Sequence, residues 1–369
     1  MLRKRDEMEM ESVFLWGTGN VARSMLEQYI NLDEYKIIGF IDNDERNTGS
    51  VMYGYTVYPP EVLYNSQFDK IVIMSDSYLQ IKDQIVNMNS DFKNKIENKY
   101  FFIKHSLLKR YKDSDDSEIR NILHHIEYCG LDVFNYDFIK NYSEKDIEIS
   151  FDMEANMFYV MHHGKRMYFS RKIKSEEAIR RYYKSILVEQ DTESPHRYLQ
   201  GDIQIHAGDI VVDAGVAEGN FSLDIVDHVK KIYLIEADED WCEALKLTFK
   251  DYLDKVVILN GFLTSYDDGK LMKLDSMIDE PVNFIKMDIE GAEYDALCGA
   301  GRLVDLSENL RLAVCSYHSD YDQILIEHFM DEHNIEHDTS AGYMWFPYTV
   351  KQNTISTKLV KGVVRGIKR

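Results

Sequence analysis

Residues Ile210–Ser222 read IVVDAGVAEGNFS, and this stretch decides the fold of the carboxyl-terminal half of the chain. A short apolar run ends in an acid, passes through a glycine-bearing turn and continues as a segment that starts a helix. A strand that feeds a helix through such a loop places a nucleotide-like ligand against exposed backbone N–H groups. We therefore predict a cofactor-binding loop, formed by Asp213, Gly215, Glu218, Gly219 and Asn220.

The acid before the glycine turn indicates which ligand this loop binds. Asp213 lies two residues before Gly215, and a buried carboxylate at that position would repel a pyrophosphate group. The same carboxylate would attract the ammonium group of a methionine-like cofactor. The loop therefore favours S-adenosylmethionine (SAM), and with it methyl transfer.

The chain after Gly208 alternates predicted strands and helices. This pattern predicts an α/β fold with a parallel sheet that is covered by helices on both faces. Ligands of such sheets bind outside the carboxyl ends of the strands. Glu236 and Asp238 follow the predicted strand Lys231–Ile235, so we expect them to bind the cofactor at its ribose diol.

Polar residues after two later predicted strands suggest the catalytic machinery. We expect His318 or Asp288 to take the proton of an acceptor hydroxyl, with Glu290 orienting the acceptor. Glu293 is expected only to favour the dipole of its helix. An alternative is a divalent ion bound by Asp288 and Glu290, which would lower the pKa of the hydroxyl. No metal-ligand spacing is evident, so we predict no metal.

The segment Asp191–Tyr198, DTESPHRY, precedes the predicted strand that begins at Ile210 and offers hydrogen-bond donors to a substrate. We predict that His196 and Arg197 contact the substrate together with Tyr317, which follows the last predicted parallel strand. The alternative for Arg197 is a structural ion pair with one of the many nearby carboxylates.

Two further patterns are interpreted as structural. Met157–Phe169 predicts a hairpin that turns at His163-Gly164. Neighbouring histidines there are not expected to share a metal ion, because consecutive strand residues point to opposite faces. Trp241 is assigned to the packing face of its helix.

A second glycine turn lies near the start of the chain, after the predicted strand Ser12–Trp16. The next strand ends in an acid about 20 residues further on, which completes a dinucleotide-type pattern. No acid precedes these glycines, so a phosphate would be tolerated. We predict a small Rossmann-like α/β domain, closed by a strand at Lys99–Lys104, with a second nucleotide site at Gly17, Gly19, Asn20 and Asp42. The alternative is a tight turn that binds nothing.

The composition limits the function classes. The net charge of −21 argues against nucleic acid as a partner. The four cysteines form no CxxC pair, so we expect neither a disulfide framework nor a zinc knuckle. The first residues, MLRKRDEMEMES, lack the apolar core of a signal peptide, and no apolar run approaches the roughly 20 residues of a membrane span. We expect a soluble, cytoplasmic protein.

The segment Lys351–Arg369 is basic and contains no acids. Val360, Val363, Val364 and Ile367 could form an apolar face that touches an anionic membrane surface or an acidic patch of a partner subunit. The alternative is a frayed, solvated end.

Four motifs carry a family resemblance: VVDAGVAEGNFS, LIEAD, IKMDIEGAEYDALCGA and LRLAVCSYH. In this order and spacing they resemble the FkbM family of SAM-dependent methyltransferases, over about residues 190–350. The chain departs from the family pattern at Ala217, where Asn is common, and at Glu236-Ala237, where Glu-Pro is common. The resemblance implies a class I methyltransferase sheet with an antiparallel last strand, and methylation of a hydroxyl on a sugar, glycan or natural product.

The first domain carries its own motifs: LWGTGNVA, IIGFIDND, GYTVYPPEVL and FDKIVIMSD. They resemble the Rossmann-like domain that precedes bacterial sugar acetyltransferases, which implies a nucleotide-sugar ligand. Four regions are predicted: the Rossmann-like domain at 1–110, a helical connector with a β-hairpin at 111–190, the methyltransferase domain at 191–350 and the basic tail at 351–369. Two other functions stay open, a non-catalytic nucleotide-sugar-binding module of a glycan-biosynthesis complex and an NAD-linked oxidoreductase. A homo-oligomer is compatible with each of these functions.

Overall fold

The computed structural model describes residues 10–29, 35–349 and 354–369. The chain forms two compact units, one of residues 1–115 with 126–131, the other of residues 116–125 with 132–369. None of the helices in the described ranges has the length and apolar character that crossing a bilayer requires.

The first unit is built on a six-stranded sheet of short, buried apolar strands. Its strands are β1 (Ser12–Trp16), β2 (Lys36–Ile41), β3 (Val51–Met52), β4 (Tyr55–Tyr58), β5 (Lys70–Ile73) and β6 (Ile96–Asn98). Their order is β3-β4-β2-β1-β5-β6, and the pairs are parallel except for β3 with β4. The helices are α1 (Asn20–Tyr29), α2 (Tyr78–Met88) and α3 (Phe101–Tyr111). The Rossmann-like prediction is thus confirmed in its strand–turn–helix order.

The strand predicted at Lys99–Lys104 is wrong. The sheet ends with β6, and α3 begins at Phe101. Three consecutive buried residues, Phe101, Phe102 and Ile103, look like a strand in the sequence, but the first turn of α3 buries all three of them.

The second unit begins with helical and antiparallel elements. They are α4 (Ser117–Cys129, whose residues are divided between the units), β7 (Ser150–Asp152), β8 (Met157–His162), β9 (Lys165–Tyr168) and α5 (Glu176–Glu189). The predicted hairpin is confirmed as β8 and β9, which pair with β7 into a three-stranded sheet. Ser175 caps the start of α5, because its side chain accepts the N–H of Ala178.

The remaining elements form a seven-stranded sheet with its covering helices and two separate two-stranded sheets, one of residues 262–263 with 271–272 and one of residues 348–349 with 354–355. The strands are β10 (Ile210–Ala214), β11 (Lys231–Glu236), β12 (Val256–Asn260), β13 (Phe262–Leu263), β14 (Leu271–Met272), β15 (Phe284–Met287), β16 (Leu310–Cys315), β17 (Glu336–Thr339), β18 (Tyr348–Thr349), β19 (Thr354–Ile355) and β20 (Val363–Lys368). The helices are α6 (Asn220–Ile225), α7 (Glu239–Thr248), α8 (Leu274–Met277), α9 (Glu293–Cys298), α10 (Gly301–Leu306) and α11 (Asp322–Glu332). Short 3-10 helices complete the chain at Glu45–Asn47, Pro60–Asn65, Ser90–Lys95, Asp137–Asn141, Glu144–Asp146 and Lys250–Tyr252.

The large sheet has the order β12-β11-β10-β15-β16-β20-β17. The first five strands are parallel, and β20 runs antiparallel to both β16 and β17. Both faces are covered, since Val211 packs into one hydrophobic cluster while Ile210 and Val212 pack into another. This is why β10 is apolar at nearly every position. The antiparallel strand implied by the family resemblance is present as β20.

Residues 363–368 of the predicted basic tail form β20 of this sheet, so this part of the tail is not a separate segment. Val363 and Val364 are fully buried in β20 and cannot form a membrane-facing surface. The guanidinium of Arg365 donates to the backbone carbonyls of Arg197 and Tyr198, and the Lys368 ammonium donates to the carbonyl of Val304. The basic side chains therefore bind backbone oxygens of the domain. In the aromatic stretch 342–350 the described strand is the short β18, and Val350 lies outside the described residues.

Candidate active site

Two neighbouring cavities open at the carboxyl ends of the parallel strands. The first, of about 400 Å³, is lined by the ends of β11 and β15 and by Trp241 of α7. The second, of about 240 Å³, lies against α5 and the end of β16. Both cavities are lined by Tyr182, Gly215, Ala217, Asp288 and Glu290. Groups bound in the two cavities would lie side by side, as a transfer reaction requires.

The glycine loop between β10 and α6 allows the ends of two strands to approach each other. Gly215 has φ +74°, and a Cβ at this position would lie 1.7 Å from the backbone oxygen of Asp288. Gly219, with φ +85°, packs under the ring of Phe249. Only glycine fits at Gly215, so this residue defines the floor that both cavities share.

Asp213 does not line either cavity, and its predicted direct contact with a cofactor is wrong. Its carboxylate is 1% exposed, accepts a 2.6 Å hydrogen bond from the Ser222 hydroxyl and lies 3.0 Å from the ammonium of Lys286. The Lys286 ammonium also donates to the carbonyl of Gly215 at 2.6 Å. A lysine of the protein thus occupies the place predicted for a ligand's ammonium group, and Asp213 supports the loop from below.

Glu236 lies where the sequence predicts it, at the end of β11 and in the wall of the first cavity. Its two carboxylate oxygens accept the backbone N–H groups of Ala217, at 2.9 Å, and Asp238, at 2.7 Å. Asp238 lines the same cavity, but its own carboxylate caps α7 and pairs with Lys172. Glu236 is therefore the better oriented of the two acids.

The second cavity is lined by the predicted residues Glu218 and Asn220. Burial raises the pKa of Glu218 to about 7, although the hydroxyl of Tyr182 donates to its carboxylate at 2.8 Å. Burial also raises the pKa of Glu189, from α5, to about 8. Because both pKa values are raised, ionising these two carboxyl groups costs free energy unless a cation approaches them.

Asp288 is the centre of a polar cluster at the end of β15. Its carboxylate accepts a 3.0 Å hydrogen bond from the Tyr198 hydroxyl and lies 3.3 Å from that of Tyr317. Nε2 atoms of His318 and His196 lie 3.5 and 3.7 Å from it. Burial alone would raise the pKa of Asp288, but these histidines and Lys286 hold it down, at about 2. A pKa of about 2 keeps the Asp288 carboxyl ionised near neutral pH.

His318 is a buried histidine whose surroundings favour the charged imidazolium, which argues against its predicted role as the base. Burial alone would lower its pKa, but the carboxylate of Glu293, 3.0 Å from Nδ1, and the nearby Asp288 raise it to about 9. An imidazolium has no lone pair with which to take a proton. Glu293, which was expected only to favour a helix dipole, is fully buried and pairs with the His318 imidazole. Glu290 is largely exposed and lies 3.8 Å from Nε2 of His318.

The three predicted substrate residues separate in the structure. Tyr317 lines the second cavity, and His196 lies behind it, with Nε2 3.0 Å from the Tyr317 hydroxyl. Burial lowers the pKa of His196 to about 4, so its imidazole is neutral. Arg197 donates to the backbone carbonyls of Leu199 and Gln190 and lines neither cavity, so its predicted substrate contact is wrong.

Several residues of the site were not predicted from the sequence. Trp241, assigned to packing, lines the first cavity, where its ring lies 5.8 Å from that of Tyr182. Tyr198, Glu189 and Lys286 line the second cavity. The sequence places Lys286 near the end of the predicted strand before Asp288. That Lys286 pairs with Asp213, however, is known only from the register of β10 with β15.

His162 and His163 lie together, against the prediction that a strand would separate them. Both approach Oδ1 of Asp224, at 3.0 and 2.7 Å, and their rings are 4.4 Å apart. His163 has φ +47°, so it belongs to the turn and does not follow the alternation of β8.

The predicted second nucleotide site forms a cavity of about 260 Å³ in the first unit. Gly17, Gly19, Asn20 and Asp42 all line it. The carboxylate of Asp42 accepts the backbone N–H groups of Thr18, at 3.2 Å, and Asp44, at 2.9 Å, as well as the hydroxyl of Thr18. The turn and the acid are therefore brought together as predicted.

The order and direction of the large sheet define a class I methyltransferase fold, with the cavities at the strand ends where such folds bind ligands. Residues 161–341 match the family model described as the methyltransferase FkbM domain. The match lies within the second unit and covers just under half of the chain, so this unit is similar to the FkbM methyltransferase domain. Residues 9–97 match a model described as C2185-like, N-terminal, so the resemblance of the first domain to sugar acetyltransferases is not confirmed.

Solved structures with similarity to this chain are remote in sequence. Methyltransferase FkbM from Methylobacillus flagellatus KT is 14% identical with a TM-score of 0.45, over 96% of this chain and 90% of that one. Precorrin-6y C5,15-methyltransferase from Geobacter metallireducens GS-15 is 10% identical with a TM-score of 0.34, over 55% and 94%. SMU.1697c from Streptococcus mutans, solved in complex with SAH, is 16% identical with a TM-score of 0.32, over 45% and 91%. No curated protein matches the chain.

Proposed function

We propose that this methyltransferase uses SAM and transfers its methyl group to a hydroxyl of a sugar, glycan or natural-product acceptor. The observation that carries the proposal is the pair of adjoining cavities, which share Asp288 and the Gly215 floor. One cavity suits the nucleoside of the cofactor and the other suits the reacting groups.

The charges of the cavities fit a cationic cofactor. Six acidic side chains line them: Glu189, Glu218, Glu236, Asp238, Asp288 and Glu290. The raised pKa values of Glu189 and Glu218 reflect the cost of ionising further acids in this place. Lys286 supplies a positive charge, but its ammonium already pairs with Asp213. A sulfonium and an ammonium group relieve the repulsion among these acids, whereas the pyrophosphate of a dinucleotide would add to it. The NAD-linked oxidoreductase alternative depends on the other glycine turn, at Gly17–Asp42, so these charges do not bear on it.

Glu236 and Trp241 would hold the nucleoside part of SAM in the first cavity. Glu236 is fixed by two backbone N–H groups, so its carboxylate is oriented before a ribose diol arrives. The indole of Trp241 gives the adenine ring an aromatic neighbour. Bound SAM supplies a methyl group on a positively charged sulfur, open to in-line attack by a hydroxyl oxygen.

Asp288 is the residue that we propose receives the proton of the acceptor. An acceptor oxygen becomes strongly acidic as it forms its new bond to carbon, so a carboxylate of low pKa suffices as the base. The Tyr198 hydroxyl and the imidazolium of His318 hold Asp288 in place and keep it ionised. His318 is therefore a positioning residue, and Glu290 at the rim would orient the acceptor.

A nucleotide-sugar ligand at the first unit is a second, separate proposal. Its support is the cavity around Gly17 and Asp42, whose glycines carry no preceding acid. By binding a nucleotide-sugar, this site would link the chain to glycan biosynthesis, as in the non-catalytic module considered above.

Calorimetry with SAM, NAD and a UDP-sugar tests these proposals on the full chain. We expect SAM to bind, with an affinity that falls on Glu236→Gln, and NAD not to bind the second unit. A UDP-sugar that binds at the first unit should lose affinity on Asp42→Asn but not on Glu236→Gln. Binding of NAD that depends on Glu236, or no SAM binding at all, would contradict the main proposal.

Activity that survives chelators would exclude the divalent-ion alternative at Asp288 and Glu290.

A further inference from the structure

The tip of the β8–β9 hairpin and the end of α6 bring together three groups that are common metal ligands. The ligand atoms of His162, His163 and Asp224 all lie within 4.8 Å of one another. This cluster is distinct from the methyl-transfer cavities, since none of its members lines them. We infer that His162, His163 and Asp224 form a binding site for a divalent transition-metal ion such as Zn²⁺.

The turn geometry presents both imidazoles to one place. His163 and Gly164 both have positive φ, +47° and +84°, which is the backbone of a tight two-residue hairpin turn. Non-glycine residues adopt this conformation rarely, although histidine does so more often than most. The turn brings the His163 ring beside that of His162, and the two nitrogens approach the same carboxylate oxygen.

His162 is already oriented as a metal ligand. Its Nδ1 lies 2.9 Å from the hydroxyl of Tyr183, which fixes the ring and leaves Nε2 as the ligand atom. The residue is 3% exposed, and among the described residues its Nε2 makes no aligned hydrogen bond, although it lies 3.0 Å from Asp224. A buried, oriented nitrogen without a hydrogen bond is a costly feature that a metal ion would remove.

The distances are close to those of a zinc site. Nε2 of His162 and Nδ1 of His163 lie 3.0 and 2.7 Å from Oδ1 of Asp224. Ligand atoms around a tetrahedral zinc ion are about 3.3 Å apart when the zinc–ligand bonds are about 2 Å long. Small rotations of the exposed His163 and Asp224 side chains suffice to open this space. The neighbouring cation, Lys165, is directed to Asp227 and to the carbonyl of Leu223, so it does not occupy the site. Three protein ligands leave a fourth position for water.

An ion here would tie the hairpin to α6, the helix that directly follows the glycine loop. Because the ion binds only the folded arrangement, it should also raise the thermal midpoint of the unit as its concentration rises. This readout does not depend on methyl transfer, so the inference stands apart from the proposed function.

The test is titration of the full-length, chelator-treated protein with Zn²⁺ and with Co²⁺. We expect one ion per chain, a higher thermal midpoint and the visible absorption of Co²⁺ bound to imidazole. His163→Ala and Asp224→Asn should each lower Zn²⁺ affinity at least tenfold, and Tyr183→Phe should lower it about tenfold by freeing the His162 ring. The matched control is His228→Ala, an exposed histidine outside the cluster.

His163 is 69% exposed, so His163→Ala should leave the fold and its circular dichroism unchanged. Zn²⁺ affinity that is equal in the wild type, His163→Ala and His228→Ala would overturn the inference. A titration with no saturable binding would overturn it as well, and would leave the cluster as an ion pair of two histidines with one carboxylate.

Discussion

Lys286 and Asp213 face each other across β15 and β10, with the ammonium 3.0 Å from the carboxylate and both side chains buried. The pair places opposite charges beneath the glycine loop between β10 and α6. Although burial alone would lower the pKa of Lys286, Asp213 and Asp288 hold it above its ordinary value, so the lysine stays charged. The loop is thus supported by an internal cation.

Lys286→Met should destabilise the second unit strongly, because it leaves the Asp213 carboxylate buried without a counter-charge. Breaking a buried pair in this way costs about 3–5 kcal/mol of the free energy of unfolding. The double variant Asp213→Asn with Lys286→Met should recover part of this loss, since neither charge is then left alone. Urea unfolding measures all three proteins. A single variant as stable as the wild type would show that the pair is not a structural charge pair.

His318→Gln should change how stability depends on pH. The folded-state pKa of His318 is raised from 6.5 to about 9, so its interaction is fully present below pH 6.5 and is lost as pH rises through 9. Thermal midpoints of the wild type should therefore fall between pH 6.5 and 9 more steeply than those of the variant. His333→Gln, which removes a partly exposed histidine, is the control.

The pH profile of methyl transfer also separates the two roles of His318. A base with this pKa would gain activity as pH rises toward 9, whereas a positioning cation loses activity in the same range. We expect the loss. Rising activity that disappears in His318→Gln would restore His318 as the base.

Gly215→Ala should be far more harmful than Gly208→Ala. Both glycines have positive φ, +74° and +86°, so both substitutions carry the same backbone strain of roughly 1–2 kcal/mol. Only at Gly215 does the new Cβ meet another atom, the Asp288 oxygen at 1.7 Å; at Gly208 nothing lies within 4 Å. Forcing these strand ends apart adds about 1–3 kcal/mol. Equal unfolding free energies of the two variants would contradict the close approach.

Glu236→Gln should weaken binding of the product S-adenosylhomocysteine by about tenfold to a hundredfold, the usual value of hydrogen bonds to a charged group. Calorimetry measures this directly. The matched control, Glu239→Gln, lies three residues further along the chain and pairs with Lys270 at the surface. If both variants bind alike, Glu236 is not the ribose ligand.

Local sequence was enough to predict the elements that carry the cavities. The acids at the ends of predicted strands do converge, because parallel strands present their carboxyl ends at one edge. Glu236 and Asp288 could therefore be predicted one strand at a time. The glycine turn at Gly17 could be predicted for the same reason.

Properties that depend on long-range pairing could not be predicted in this way. Asp213 alone reads as a ligand for an external ammonium, and only the strand register reveals Lys286 as its partner. The charge of His318 depends on Glu293, which a helical pattern presents as an ordinary acid of a first turn. The basic composition of residues 351–369 suggests a tail, because the backbone carbonyls that receive Arg365 and Lys368 lie far away in the sequence.

The strand order also has a consequence for how the domain is made. β17 contacts the sheet through β20, yet β20 is synthesised later, so a growing chain carries β17 without a partner. The edge of β16 is open during the same interval and could pair with another nascent chain. Arrival of β20 closes both edges in one step. The second unit should therefore acquire resistance to proteases abruptly, once β20 has left the ribosome, and not gradually as its parallel strands appear.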